Sequence, residues 1–139
     1  MKSDLDQLMA ARELQAIVVV GDELHSVERD YLSNGARITG GLVIKRRGAA
    51  PVLFVNPMEI EEARDSGLQA ISWHDLGWAQ LLQENDGDRD RTQVGMWQRA
   101  LQRLEVPAGR VGIYGTTAAH RFIELLSELR DLEGYDFCG

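Results

Sequence analysis

The stretch GGLVIKRRGAAPVLFVNP, residues 40–57, decides the fold of this chain. Residues 42–45 (LVIK) and 52–55 (VLFV) are two mainly apolar runs, and the segment RRGAA between them contains a glycine. Two such runs joined by a short glycine-containing turn are typical of a β-hairpin. Pro51 lies at the start of the second run, where a missing backbone N–H costs least.

Outward from the hairpin, strand and helix patterns alternate. The run QAIVVVGD (residues 15–22) is β-branched without alternation, which indicates a strand buried on both faces. After the hairpin, NPMEIEEARDSG (residues 56–67) predicts a helix with Asn56 as its cap and Pro57 at its first position. Further strand and helix patterns follow, with a strand at residues 111–114 and a last helix that Thr116 or Thr117 caps and Gly134 ends. This order predicts one α/β domain over residues 1–139, with a mixed, mostly parallel sheet, one antiparallel hairpin, and helices on both faces.

Two segments carry no clear element pattern. The charged run ENDGDRDR, residues 84–91, contains no apolar side chain and predicts a mobile surface loop. The last five residues, YDFCG, are predicted to hang free of the domain.

Composition restricts the partners and the compartment. A net charge of −7 disfavours nucleic acid and anionic membrane as partners. The longest apolar run, AIVVV, is far shorter than the ~20 residues of a spanning helix, and acids stand near the start where a signal peptide is apolar. Cys138 is alone, so no disulfide forms within the chain, and we expect a reducing, cytoplasmic location.

No residue pattern predicts a catalytic centre or a metal site in this chain. The three histidines, His25, His74 and His120, stand apart in sequence, without the spacing of metal ligands. We interpret His74 and His120 as surface or structural groups. His25 follows a buried strand, where side chains often line sites in open α/β sheets, and is a candidate functional contact.

The segment ERDYLSNGARITGG, residues 28–41, together with the order of elements, carries a resemblance. The chain resembles the N-terminal domain of the creatinase/prolidase/aminopeptidase P family. Tyr31, Leu32 and Ser33 match that family's Tyr-Leu-Thr/Ser-Gly segment, with Asn34 inserted before Gly35. The similarity runs over essentially the whole chain, and its order and spacing carry it.

The resemblance implies a ribonuclease H-like domain that is itself not catalytic. It implies a C-terminal catalytic domain, absent from these 139 residues, that holds two divalent metals unless the enzyme is of the creatinase type. The partners implied are that catalytic domain, a second subunit of a dimer, and a small peptide or creatine-like substrate. The parent enzyme would be a hydrolase of the Xaa-Pro dipeptidase, aminopeptidase or creatinase kind.

The resemblance also suggests a substrate lip formed by this domain over an active site. Its residues are Arg37, whose guanidinium would pair with a substrate carboxylate, with Tyr31 and Asn34 as wall and His25 nearby. The other interpretation makes Asn34 and Gly35 a turn, Tyr31 a core residue and Arg37 a solvated charge. At the level of function, the alternative is a stand-alone α/β binding module without enzymatic activity.

Overall fold

A computed structural model describes residues 2–21, 27–38 and 40–139. In chain order the helices and strands are α1 (Lys2–Ala11), β1 (Leu14–Gly21), α2 (Val27–Leu32), β2 (Leu42–Arg46), β3 (Val52–Val55), α3 (Ile60–Arg64), β4 (Gln69–Ser72), α4 (Trp78–Glu84), α5 (Arg89–Arg103), β5 (Gly109–Thr116), α6 (Ala119–Leu129) and β6 (Tyr135–Cys138). None of the helices in these ranges has the length and apolar character needed to cross a bilayer.

The six strands form one sheet in the order β4-β3-β2-β1-β5-β6. The strand β2 is antiparallel to both of its neighbours, β1 and β3, whereas β4, β5 and β6 each pair in parallel. The other five strands therefore run in one direction. The mixed, mostly parallel sheet and the hairpin β2–β3 predicted from the sequence are confirmed.

The central strand β1 is covered on both faces. Ala16, Val18 and Val20 belong to one apolar cluster, which includes the buried side chains of α5 and α6. Ile17 and Val19 belong to the other cluster, with buried residues of α1, α2 and α3. Successive strand residues point to opposite faces, so an all-apolar run is what two covered faces require. Helices on both faces, as predicted, are confirmed.

A buried cation joins α1 to the hairpin. The side chain of Lys45 in β2 is 2% exposed, and its Nζ donates hydrogen bonds to Asp6 Oδ1 and to the Ala49 carbonyl, both at 2.7 Å. Asp6 Oδ1 also accepts the backbone N–H of Gly48 at 2.9 Å. The hydrogen bond from Gly48 and that from Lys45 lower the pKa of Asp6 below its ordinary value of 3.8.

The prediction for the last residues was wrong. Tyr135–Cys138 forms β6, an edge strand paired in parallel with β5. Phe137 packs edge-on against Trp97 with ring centroids 6.1 Å apart, and the Tyr135 hydroxyl donates to the Val106 carbonyl at 2.9 Å. These contacts join residues that are far apart in sequence, so a local sequence pattern does not predict them.

Two local predictions also need correction. The charged run 84–91 is at the surface, but it contains the end of α4 and the start of α5, where the Asp88 side chain accepts the N–H groups of Asp90 and Arg91. The segment from Asn56 begins with a 3-10 turn, Pro57–Glu59, before the short α3, and the Asn56 side chain makes no capping hydrogen bond.

Candidate functional site

A cavity of about 570 Å³ opens at the carboxyl edge of the sheet. Four of the parallel strands end there, and the residues at or just after their ends line it: Gly21 at the end of β1, Asn56 after β3, Trp73 and His74 after β4, and Thr117 after β5. This is where ligands bind in open α/β sheets, because the loops that leave the strands diverge at that edge. The volume lies in the usual range for small-molecule pockets, roughly 300–1,000 Å³.

Part of the wall of this carboxyl-edge cavity is aromatic. The protein has three tryptophans, and all of them, Trp73, Trp78 and Trp97, line it. Trp73 stacks on the buried ring of Phe54, with centroids 5.6 Å apart. Two of the three indoles are thus held by aromatic neighbours, since Trp97 packs against Phe137 as described above. Such contacts fix ring positions before any ligand arrives.

The turn that carries Trp73, His74 and Trp78 is fixed from both ends. The backbone N–H of Trp78 donates to the Trp73 carbonyl at 3.1 Å, and that of Trp73 donates to Val55 at 2.9 Å. From α5, Arg99 donates to the Leu76 carbonyl at 2.7 Å. The loop wall of the cavity is therefore held by the sheet and by α5.

Trp97 is the unusual residue of the cavity. Its side chain is 1% exposed, and its Nε1 has no hydrogen-bond partner among the residues that the structure describes. A buried donor left without an acceptor costs about 1–3 kcal/mol. A residue in the wall of the cavity therefore carries a hydrogen-bond donor that is unpaired within the described part of the chain.

The charge of the cavity differs from that of the whole chain. The chain has a net charge of −7, yet the described residues that line the cavity include no Asp or Glu. They include Arg121, in the first turns of α6 and exposed, together with the exposed His74. The cavity therefore suits a ligand that carries a negative charge.

The residues do not fit a metal centre. Within residues 2–21, 27–38 and 40–139, no group of three or more His, Cys, Asp or Glu side chains is placed to hold a metal ion. The polar lining of the cavity consists of hydrogen-bond donors and acceptors, and its remaining lining is apolar.

A second cavity of about 320 Å³ lies on the opposite face of the sheet. Residues of α1, α2 and the adjoining strands line it, and among them are Leu8, Tyr31 and Tyr114. Arg12 donates hydrogen bonds to the Tyr114 hydroxyl and, at 3.0 Å, to the Gly139 carbonyl. The lining is almost entirely apolar.

The residues predicted to form a substrate lip do not line one common cavity among the two described here. Tyr31 is half-exposed and lines the second cavity. Asn34, with φ +56°, donates to the Ser66 carbonyl at 3.2 Å, close to the turn that leads into β4. Arg37 is exposed, and neither Arg37 nor Asn34 lines either of these two cavities. His25 lies outside the described residues.

Sequence reasoning passed over the residues of the carboxyl-edge cavity. Val94, Trp97, Leu101 and Leu104 step by three, four and three, which predicts only an amphipathic helix, and His74 is interpreted above as a surface or structural group. One signal is present: LQAISW, residues 68–73, predicts a short strand, and His74 follows it directly, the same position relative to a strand as that of His25. No sequence pattern signals that Trp97 Nε1 lacks an acceptor among the described residues, since that depends on contacts with distant segments.

Comparison with known proteins places the fold. No family model and no curated protein matches the sequence. Among solved structures, the chain is similar to prolidase from Pyrococcus furiosus, with a TM-score of 0.53 and 15% identity, over 95% of this chain and 31% of that one. It is similar to X-Pro aminopeptidase from Thermotoga maritima, with a TM-score of 0.65 and 10% identity, over 99% of this chain and 33% of that one.

A third solved structure is matched over nearly its full length. The creatinase/prolidase N-terminal domain of an X-Pro dipeptidase from Streptococcus pyogenes gives a TM-score of 0.51 at 10% identity, over 98% of this chain and 97% of that domain. The chain therefore has the fold of a creatinase/prolidase N-terminal domain, and the resemblance predicted from the sequence is confirmed at the level of the fold. It spans 31% of the prolidase chain, and the domain it matches is part of a longer polypeptide there.

Proposed function

We propose that this chain is the non-catalytic N-terminal domain of a hydrolase that acts on Xaa-Pro peptides or on creatine-like substrates. The observation that carries the proposal is the fold match, which covers 98% of this chain and 97% of an isolated N-terminal domain of an X-Pro dipeptidase. The chemistry would be supplied by a separate catalytic domain. Two divalent metals would be held there, unless the enzyme is of the creatinase type.

In this proposal the domain provides contact surfaces for other parts of the enzyme and for the substrate. It contacts its own catalytic domain and a second subunit, and the segment 31–37 forms a lip over the active site. Arg37 is exposed, so its guanidinium is available to pair with the carboxylate of a small substrate. Tyr31 is half-exposed on the same segment. We expect the enzyme to work in the cytoplasm.

The test uses the enzyme in which this domain is joined to its catalytic domain. Arg37→Ala is compared with the parent enzyme on Xaa-Pro dipeptides and on creatine. We expect a loss of kcat/KM of at least about tenfold, which corresponds to about 1.4 kcal/mol of transition-state stabilisation. Arg103→Ala is the matched control, because Arg103 is also exposed but lies at the end of α5.

Two results would reject parts of the proposal. A change within about twofold for Arg37→Ala, about 0.4 kcal/mol, would remove the lip role. Hydrolysis of the same substrates by the 139-residue chain alone, with or without added Mn²⁺, would remove the non-catalytic role.

A further inference from the structure

We propose that the carboxyl-edge cavity is a binding site for a small aromatic acid. The ring lies between the indoles, the carboxylate pairs with Arg121 at the mouth, and an oxygen acceptor on the ring takes the hydrogen bond of Trp97 Nε1. This site lies within the domain itself and does not depend on the proposed function.

The buried donor of Trp97 is the first support. The indole is 1% exposed, lines the cavity, and its Nε1 has no partner among the described residues. A fold that keeps such a group beside a cavity of about 570 Å³ leaves room for an acceptor to enter. An oxygen on a ligand removes the cost of the unpaired donor, and a purely apolar ligand does not.

The aromatic walls are the second support. Trp73 stacks on Phe54, and Trp97 packs edge-on against Phe137, so two walls are rigid. Rigid indole faces favour a planar ring, and a site that is ordered in advance loses less entropy when the ligand binds.

The charge distribution is the third support. Arg121 is exposed at the cavity and forms no ion pair within the described part of the chain. No Asp or Glu is among the described lining residues. A carboxylate at the mouth therefore gains a charge-assisted hydrogen bond without repulsion from the lining.

The test uses the 139-residue chain and 3-(4-hydroxyphenyl)propionate as the probe. Because all three tryptophans line the cavity, fluorescence excited at their absorption edge reports on this site. Indole N–H signals in nitrogen–proton correlation spectra add a residue-level readout. Trp73→Phe and Trp78→Phe assign two of the three signals, so the signal of Trp97 is identified without a substitution in the core.

We expect saturable binding with a Kd below about 1 mM and a shift of the Trp97 indole signal, in the direction of a stronger hydrogen bond. The uncharged amide of the probe should bind at least about tenfold more weakly, and so should the acid to Arg121→Gln. Arg130→Gln is the control, since Arg130 is exposed at the other end of α6 and does not line the cavity. It should stay within about twofold of the parent.

Each part of the proposal can fail separately. No saturation up to about 10 mM, or equal affinity for acid and amide, overturns the site as one for an acid. Equal affinity for 3-phenylpropionate, which lacks the phenol oxygen, with the Trp97 signal unmoved, overturns the role of the Trp97 donor. None of these results bears on the Arg37 experiment, which measures turnover in the joined enzyme.

Discussion

Gly41, directly before β2, has a backbone conformation and surroundings that leave no room for a side chain. It precedes β2 with φ +89°, and a Cβ added there would lie 2.1 Å from the Phe54 carbonyl oxygen of β3. That oxygen belongs to the backbone of a paired strand, so it cannot move aside without breaking the ladder. Gly48, in the turn of the same hairpin, has a similar φ of +82° but open space around it.

Alanine substitutions at Gly41 and Gly48 distinguish the cost of a left-handed backbone conformation from the cost of steric overlap. We expect Gly48→Ala to lower the free energy of unfolding by about 1 kcal/mol, the cost of a left-handed conformation alone. Gly41→Ala should lower it by at least about 3 kcal/mol, because the overlap adds to that strain. Urea denaturation at neutral pH measures both values, and equal losses would show that the strand β3 accommodates the added methyl group.

The residues of the cavity show what a sequence can and cannot predict at this scale. Trp97 belongs to an apolar stripe at helical spacing, and its burial followed from that stripe. The stripe did not predict that Nε1 would lack an acceptor among the described residues, because that depends on where every surrounding group lies in the folded chain. Arg121 lines the cavity only because the fold brings the start of α6 to the carboxyl edge of the sheet.

At the scale of elements, β6 shows the limit of local pattern. The segment is short, polar at Asp136 and close to the chain end, and its pattern resembles a frayed tail. Its stability comes from pairing with β5 and from two aromatic side chains against the cluster around Trp97. The hairpin β2–β3 was predictable because its two strands are neighbours in sequence, joined by one short turn.

A substitution in β6 tests whether this edge strand stabilises the domain. We expect Phe137→Ala to lower the free energy of unfolding by about 1–3 kcal/mol, less than for a fully buried ring because Phe137 is only half-buried. Asp136→Ala, on the exposed neighbour, should change it by no more than about 0.5 kcal/mol. Urea denaturation followed by circular dichroism measures both. If Phe137→Ala is as neutral as its control, the strand contributes nothing to folding.

At the scale of the whole molecule, the order of elements carried more information than any motif. Alternating strand and helix patterns around one hairpin were enough to predict the mixed, mostly parallel sheet, apart from β6, and both helical layers, since few topologies fit such an order. The cavity could not be predicted in the same way. Its lining comes from chain segments that meet only when the carboxyl ends of separate strands are placed side by side.

The contact between α1 and the sheet joins the two ends of a long stretch of chain, and it predicts that the stability of the whole domain depends on pH. Asp6 links α1 to the buried Lys45 and to the turn at Gly48, with Arg47 as a further nearby positive charge. Its pKa is lowered in the folded chain, and the unfolded chain regains the ordinary value of 3.8. The carboxylate therefore stabilises the fold fully above that value, and the contribution disappears as the pH falls through the lowered pKa.

Asp6→Asn measures this contribution. At pH 7 we expect the variant to lose about 1–3 kcal/mol of unfolding free energy, because the buried ammonium of Lys45 loses its counter-charge while Asp6 itself is one-third exposed. The difference between parent and variant should stay constant from pH 7 to about pH 5 and then shrink below about pH 4, as the parent becomes protonated. Urea denaturation at each pH gives both curves, with the exposed Asp131→Asn as a control that should follow the parent throughout. If the difference in unfolding free energy between parent and variant persists unchanged to pH 2, the charge of Asp6 contributes nothing to stability. The loss in Asp6→Asn would then come from the different hydrogen-bonding groups of the amide.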